Sequence, residues 1–236
     1  MNPGAWAVGG SLLGIEGKLP SHEAPEMQAK LRVTRAIAWM LLTTLVAAST
    51  LARDSDERDF SPEERSDLEA GKLVVRREQL TRGDAHLIGG FSWQVIDAGP
   101  AEVWKAVTNL DAYPHFLPAV AEAKALERVG YDQRLYIRHR TPLVETSYCV
   151  LAHHDDASRT FRFRLDRTRA AAIDDAWGEL RVTPYSGGRS VVSLAIMADL
   201  GSGMIARLMR GQVHEWMLRI PQQLQRYVLR EKRKHS

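Results

Sequence analysis

The chain has 236 residues, 44% hydrophobic and 26% charged, which suits a globular protein with one core and some additional length. Of its 32 basic and 29 acidic residues, four and three fall before Arg53, so the remainder carries 28 against 26 and has no nucleic-acid footprint. The single cysteine, Cys149, excludes an intramolecular disulfide and a cysteine metal cluster.

Lys30, Arg32 and Arg35 precede an uncharged stretch from Ala36 to Ala52, and Arg53-Asp54-Ser55-Asp56-Glu57 follows it. A basic start, a short apolar middle and small residues near the end match a secretory signal peptide. Val46-Ala47-Ala48 and Thr50-Leu51-Ala52 both offer small residues for cleavage. Residues 1–52 are therefore expected to be an extension plus a signal peptide, with Met27 as the more typical start, and the protein to be exported, periplasmic or secreted. The alternative is a membrane anchor through residues 36–52, slightly short for a span.

Residues 53–85 read as a linker and a short helical extension. Ser61 can cap a helix, Pro62 suits its first turn, and Glu64 sits at the reciprocal capping position. Gly71 suits its end, and Lys72 to Arg77 reads as a short extended piece.

The main domain is expected over residues 86–230, with 231–236 as a basic tail. Phe91, Trp93 and Val95 alternate with Ser92 and Gln94, as in a half-buried strand. Gly99-Pro100 breaks it and opens a short helix with Val103, Trp104 and Val107 on one face. A Pro-bounded turn of helix follows over Asp111 to Pro118. Six strands are then expected at about 119–129, 133–140, 143–153, 159–167, 173–183 and 189–199. Turns between them include Gly130-Tyr131-Asp132, Thr141-Pro142, His154-Asp155-Asp156-Ala157 and Ser186-Gly187-Gly188. Consecutive strands with short connections make an antiparallel sheet.

After Gly201-Ser202-Gly203 comes a long amphipathic helix. Met204, Ile205, Leu208, Met209, Val213, Trp216, Met217, Ile220, Leu224, Tyr227 and Val228 recur at three- and four-residue steps. Pro221 lies inside this stripe, so a kink or break is expected between Met217 and Pro221. One such helix can cover the apolar face of a curved sheet and leave a ligand-sized gap.

Val103, Trp104, Asp111, Tyr113, Pro114, Phe116 and Pro118 stand as in the opening of the START-like, birch-pollen-allergen-like proteins, the SRPBCC superfamily, which this chain resembles. Trp177-Gly178-Glu179-Leu180-Arg181-Val182-Thr183-Pro184, followed by Gly187-Gly188-Arg189-Ser190, is similar to that family's sixth strand, turn and seventh strand. The resemblance covers about residues 86–230 and is closest to the polyketide cyclase/dehydrase and coenzyme-Q-binding branch. It implies an α+β helix-grip fold, in which a seven-stranded antiparallel sheet wraps round the long C-terminal helix and encloses a cavity. The count of strands and helices made above agrees with it.

Strand alternation supplies candidates for the cavity wall. These are Phe91 and Trp93, Leu135 and Ile137, Tyr148 and Val150, Phe161 and Phe163, Leu194 and Ile196, with Met204 and Leu208 on the helix. Each position serves a solid core as well as a hollow one. Catalytic signals are sparse. His153-His154-Asp155-Asp156 has metal-capable side chains, but neighbours in a turn point in different directions. Asp174 and Asp175 are adjacent in a strand and face opposite sides. No phosphate loop, dinucleotide fingerprint or nucleophile elbow is present. Neither a cofactor nor a metal is expected.

Two functions follow. One is non-catalytic binding or transport of a hydrophobic small molecule (a lipid, a quinone or a polyketide-like compound), with transient membrane contact on the way. The other is a cyclase or aromatase in the same cavity, using an acid/base drawn from His139, Tyr148 and Arg138. The sequence leaves ligand identity and oligomeric state open.

Overall fold

A computed structural model describes residues 60–142 and 144–235. The segment read as extension and signal peptide, residues 1–52, lies outside the described residues.

Chain order is α1 (Pro62–Glu69), β1 (Val74–Arg82), β2 (Ala85–Ile96), α2 (Pro100–Thr108), a 3-10 turn (Leu110–Ala112), α3 (Tyr113–Phe116), β3 (Val120–Val129), β4 (Asp132–Arg140), β5 (Glu145–Asp155), β6 (Thr160–Leu165), β7 (Asp175–Tyr185), β8 (Arg189–Asp199), α4 (Met204–Leu218) and α5 (Ile220–His235). The strands form one sheet in the order β1-β2-β8-β7-β6-β5-β4-β3, antiparallel throughout. This is the helix-grip arrangement, with one strand more than the seven expected. The extra strand is β1, whose expected extended piece continues to Arg82. Its Arg76-Arg77-Glu78-Gln79 centre hides the alternation, and charge of this kind suits a sheet edge. β5 also runs on to Asp155, which draws His154 into the strand.

α1 is a well-capped unit. The Ser61 amide donates to Glu64 Oε2 at 2.8 Å, and Ser61 Oγ accepts from the Glu64 amide at 3.1 Å. Arg76 pairs with Glu64 at 2.8 Å, and its hydrogen bond holds that carboxyl down at about 2. The guanidinium also lies 5.4 Å over the Phe60 ring and 5.2 Å over Trp93. Phe60, Leu68, Val74, Trp93, Val95 and Val191 thereby bury one face of the sheet.

The opposite, concave face carries the main core, from Ile96 on β2 through Leu135, Val150, Leu180 and Val192 to Leu218, Leu224 and Val228 on the C-terminal helices. Those helices are two rather than one. Leu218 ends α4, Arg219 has φ −89° and ψ 0°, and α5 restarts with Pro221 at its second position. Pro221 has no amide hydrogen for the Met217 carbonyl, and its ring crowds that turn, so the expected break falls within Met217–Pro221.

Candidate functional site

Between the concave face, α3 and the α4–α5 break lies a cavity of about 640 Å3. That is within the usual range for small-molecule sites. Seven of the expected wall residues line it: Ile137, Tyr148 and Val150 from β4 and β5, Phe161 and Phe163 from β6, and Leu194 and Ile196 from β8. Phe161 and Phe163 stack at 5.9 Å. Gly178 on β7 makes room for Phe163, because a Cβ there would stand 2.7 Å from its ring.

The other five are placed differently. Phe91 and Trp93 share a face as alternation requires, but it is the convex one, where Trp93 meets Phe60 edge-on at 5.1 Å. Period-2 patterning groups side chains without saying which side of the sheet is hollow, and α1 has made the other side apolar too. Leu135 is buried in the concave core and is not among the lining residues. Leu208 is 78% exposed. The helix presents Met209, Val213, Trp216 and Met217 instead, so Leu208, one residue from Met209, is rotated by about 100° out of the cavity. The Met204 side chain lies outside the described residues.

Several wall residues were read only as scaffold or not at all. Tyr113 and Phe116 reach the cavity from the turn between α2 and β3, and Ile173, Asp174 and the Gly201–Gly203 loop form part of its rim. Tyr113 and Phe116 stood in the sequence as part of the family motif. Ile173 and Asp174 were expected as the start of a strand, with Asp174 noted only as a neighbour of Asp175, whereas β7 begins at Asp175 and leaves both in the preceding loop. Their loop is stapled from behind: Asp166 accepts from Thr168 Oγ1 at 2.6 Å and pairs with buried Arg134, which also contacts Glu127.

One polar pair is set into the apolar wall. His139 Nε2 and the Tyr148 hydroxyl are 2.9 Å apart, and His139 Nδ1 is 3.3 Å from the Pro118 carbonyl. A carbonyl only accepts, so Nδ1 carries the imidazole proton and Nε2 accepts the Tyr148 proton. Pro118 is aimed this way by Ala119, whose φ of 58° is costly for a residue with a Cβ. Burial lowers the His139 pKa against the pull of the Pro118 hydrogen bond, and burial pushes Tyr148 up to about 12. Both groups are therefore neutral at neutral pH.

The remaining acid/base and metal candidates lie elsewhere. Arg138 points away from the cavity, to Glu122 at 3.0 Å and Glu145 at 3.1 Å. His153 faces Asp132 at 3.6 Å, whereas the His154 ring lies tilted against Phe161 with centroids 4.7 Å apart. Asp175 pairs with Arg167 at 2.7 Å, away from Asp174 on the rim. Cys149 is buried behind the sheet, where desolvation and Asp166 raise its pKa and disfavour the thiolate.

A protein of Thermus thermophilus is similar to this chain, with 19% identity and a TM-score of 0.50, over 60% of this chain and 97% of its own. The Zhui aromatase/cyclase of a Streptomyces species has 15% identity and a TM-score of 0.47, over 68% and 95%. A STAR-related lipid transfer protein fragment of Xanthomonas axonopodis has 14% and 0.47, over 64% and 98%. No curated protein matches the sequence. The family model for polyketide cyclase/dehydrase and lipid transport proteins matches residues 92–224, more than half of the chain, from within β2 through the cavity-forming strands and past the α4–α5 break. The chain belongs to that family.

Proposed function

We propose that the protein binds and carries a hydrophobic small molecule in the cavity between sheet and C-terminal helices, without transforming it. The observation that carries this reading is the wall itself, about 640 Å3 of space bounded mainly by aliphatic and aromatic side chains. Burying about 300 Å2 of apolar ligand surface at roughly 25 cal/mol per Å2 contributes about 7.5 kcal/mol toward uptake, set against the cost of association. No cation is needed for this, and none lines the cavity among the described residues.

Pyrene, which has no polar atom and whose emission reports its surroundings, provides the test. The wild type should bind it, and Phe163→Asp should lose it with the fold intact by circular dichroism. An aspartate there has no partner and must stay neutral or reorganise its surroundings. A wild type that leaves pyrene in water overturns the carrier reading.

One observation favours a second reading, a cyclase-type enzyme, and that is the His139–Tyr148 pair inside the cavity. Its two protons are already engaged with Pro118 and His139, and no further acid/base of the wall lies at hydrogen-bond distance from it among the described residues. Turnover of a linear poly-β-ketone mimic, lost in His139→Leu, would establish the enzyme over the carrier.

The same proposal puts the protein outside the cytoplasm, on the basic, apolar and small-residue pattern of residues 30–52. N-terminal sequencing of the protein from its host checks this, with cleavage after Ala48 or Ala52 expected and an intact Met1 terminus opposing it.

A further inference from the structure

The cavity's polar pair says more about the occupant than its volume does. Because the Pro118 carbonyl fixes the His139 proton on Nδ1, Nε2 takes the Tyr148 hydroxyl hydrogen. The Tyr148 oxygen is then left with lone pairs and no proton to give. Both residues line the cavity, so a carbonyl or ether oxygen placed against that hydroxyl meets acceptor against acceptor. A ligand hydroxyl there completes a chain from ligand to Tyr148 to His139 to Pro118 in which every donor has an acceptor. Charge narrows the occupant further. Among the described lining residues there is no Lys or Arg, and the one carboxylate is Asp174 on the rim. A carboxylate or phosphate ligand would enter past a like charge and lose its water without a cation to replace it.

We infer that the occupant is a neutral apolar molecule bearing a hydroxyl that donates to the Tyr148 oxygen. This deepens the carrier reading and rests on it. It separates otherwise similar apolar molecules by chemistry: an alcohol, phenol or quinol is taken, and the corresponding ether, ketone or quinone is disfavoured.

The test uses three fluorescent probes on one skeleton, namely pyrene, 1-pyrenemethanol and 1-(methoxymethyl)pyrene. Wild type should bind the alcohol about tenfold more tightly than the ether, the equilibrium equivalent of one net hydrogen bond. In His139→Leu the Tyr148 hydroxyl loses its acceptor and can donate into the cavity, so the alcohol-to-ether preference, read as a ratio within the variant, should vanish or reverse. Equal binding of alcohol and ether by wild type overturns the inference without any variant, and so does a preference that survives unchanged in His139→Leu. A wild type that binds none of the three, pyrene included, overturns the carrier reading together with the inference. Pyrene binding without discrimination overturns the inference alone.

Discussion

His139 and Tyr148 show how far single residues can be read. Both stood in the sequence as inward-facing candidates, because Ile137 and Val150 share their strand phases. Their mutual contact could not be read there, since it depends on the pairing of β4 with β5 and on the Pro118 carbonyl from a distant turn. Burial has a further consequence. The folded pKa of His139 lies below its ordinary 6.5, with desolvation the largest cause, and His154 is lowered for the same reason. The unfolded chain therefore takes up more protons than the folded one as pH falls below 6.5, and stability declines in that direction. The stability these histidines confer is complete above pH 6.5 and is lost as pH falls toward their folded values. Urea midpoints measured from pH 7.5 downward, above the carboxylate range, should fall with acidity, and His139→Leu should flatten part of the slope. A midpoint independent of pH across that window counts against neutral buried imidazoles. Gly178→Ala belongs to this scale as well. Its Cβ would meet the Phe163 ring at 2.7 Å and the Ala195 carbonyl at 2.6 Å, so about 1–3 kcal/mol of destabilisation is expected. The melt should be accompanied by weaker pyrene binding as Phe163 is driven inward.

At the scale of elements, hydrophobic period located nearly everything that has one. The strands from β3 to β8 and the C-terminal stripe carry alternation or three- and four-residue steps, and Pro221 marked the break in the helix. β1 was read only as a short extended piece ending at Arg77 because it is a charged edge strand, and the wrong face was chosen for Phe91 and Trp93 because both faces of β2 are buried. One anchor between elements has no periodic signature at all. His214 on α4 is buried, and its Nε2 donates to the Gly89 carbonyl at 2.6 Å. The glycines of this segment serve the sheet itself, since a Cβ on Gly90 would lie 2.1 Å from the Arg76 carbonyl on β1. His214 thus ties the α4 wall of the cavity to β2. His214→Ala leaves that carbonyl without its donor and should cost about 1–3 kcal/mol in chemical denaturation. The loss should fall on α4 first, seen as faster amide exchange there than in α5. Uniform exchange across both helices would mean that apolar contacts alone seat α4.

On the scale of the molecule, one sheet serves two unlike faces. The convex face is filled by α1 and the Phe60, Trp93 and Arg76 cluster, and its role is stability. The concave face is partly hollow beyond Phe161, Phe163 and Ile196. Sequence patterning could not separate the two, because a filled and a hollow interior call for the same residues, and only the closing elements decide between them. The separation can be measured. Phe60→Ala removes an aromatic side chain from the convex cluster and should lower stability by about 3 kcal/mol, while pyrene affinity stays within about twofold of wild type. Phe163→Asp should do the reverse in kind, abolishing pyrene binding while the folded protein persists. Linkage supplies the cross-check: pyrene at a hundred times its dissociation constant stabilises the folded state by about 2.7 kcal/mol, or about 5–10 °C in melting temperature for a domain of this size. That shift should appear in wild type and Phe60→Ala alike and be absent from Phe163→Asp. Should Phe60→Ala weaken pyrene binding by as much as it weakens the fold, the two faces are mechanically coupled, and α1 would then have to be counted among the elements that shape the cavity.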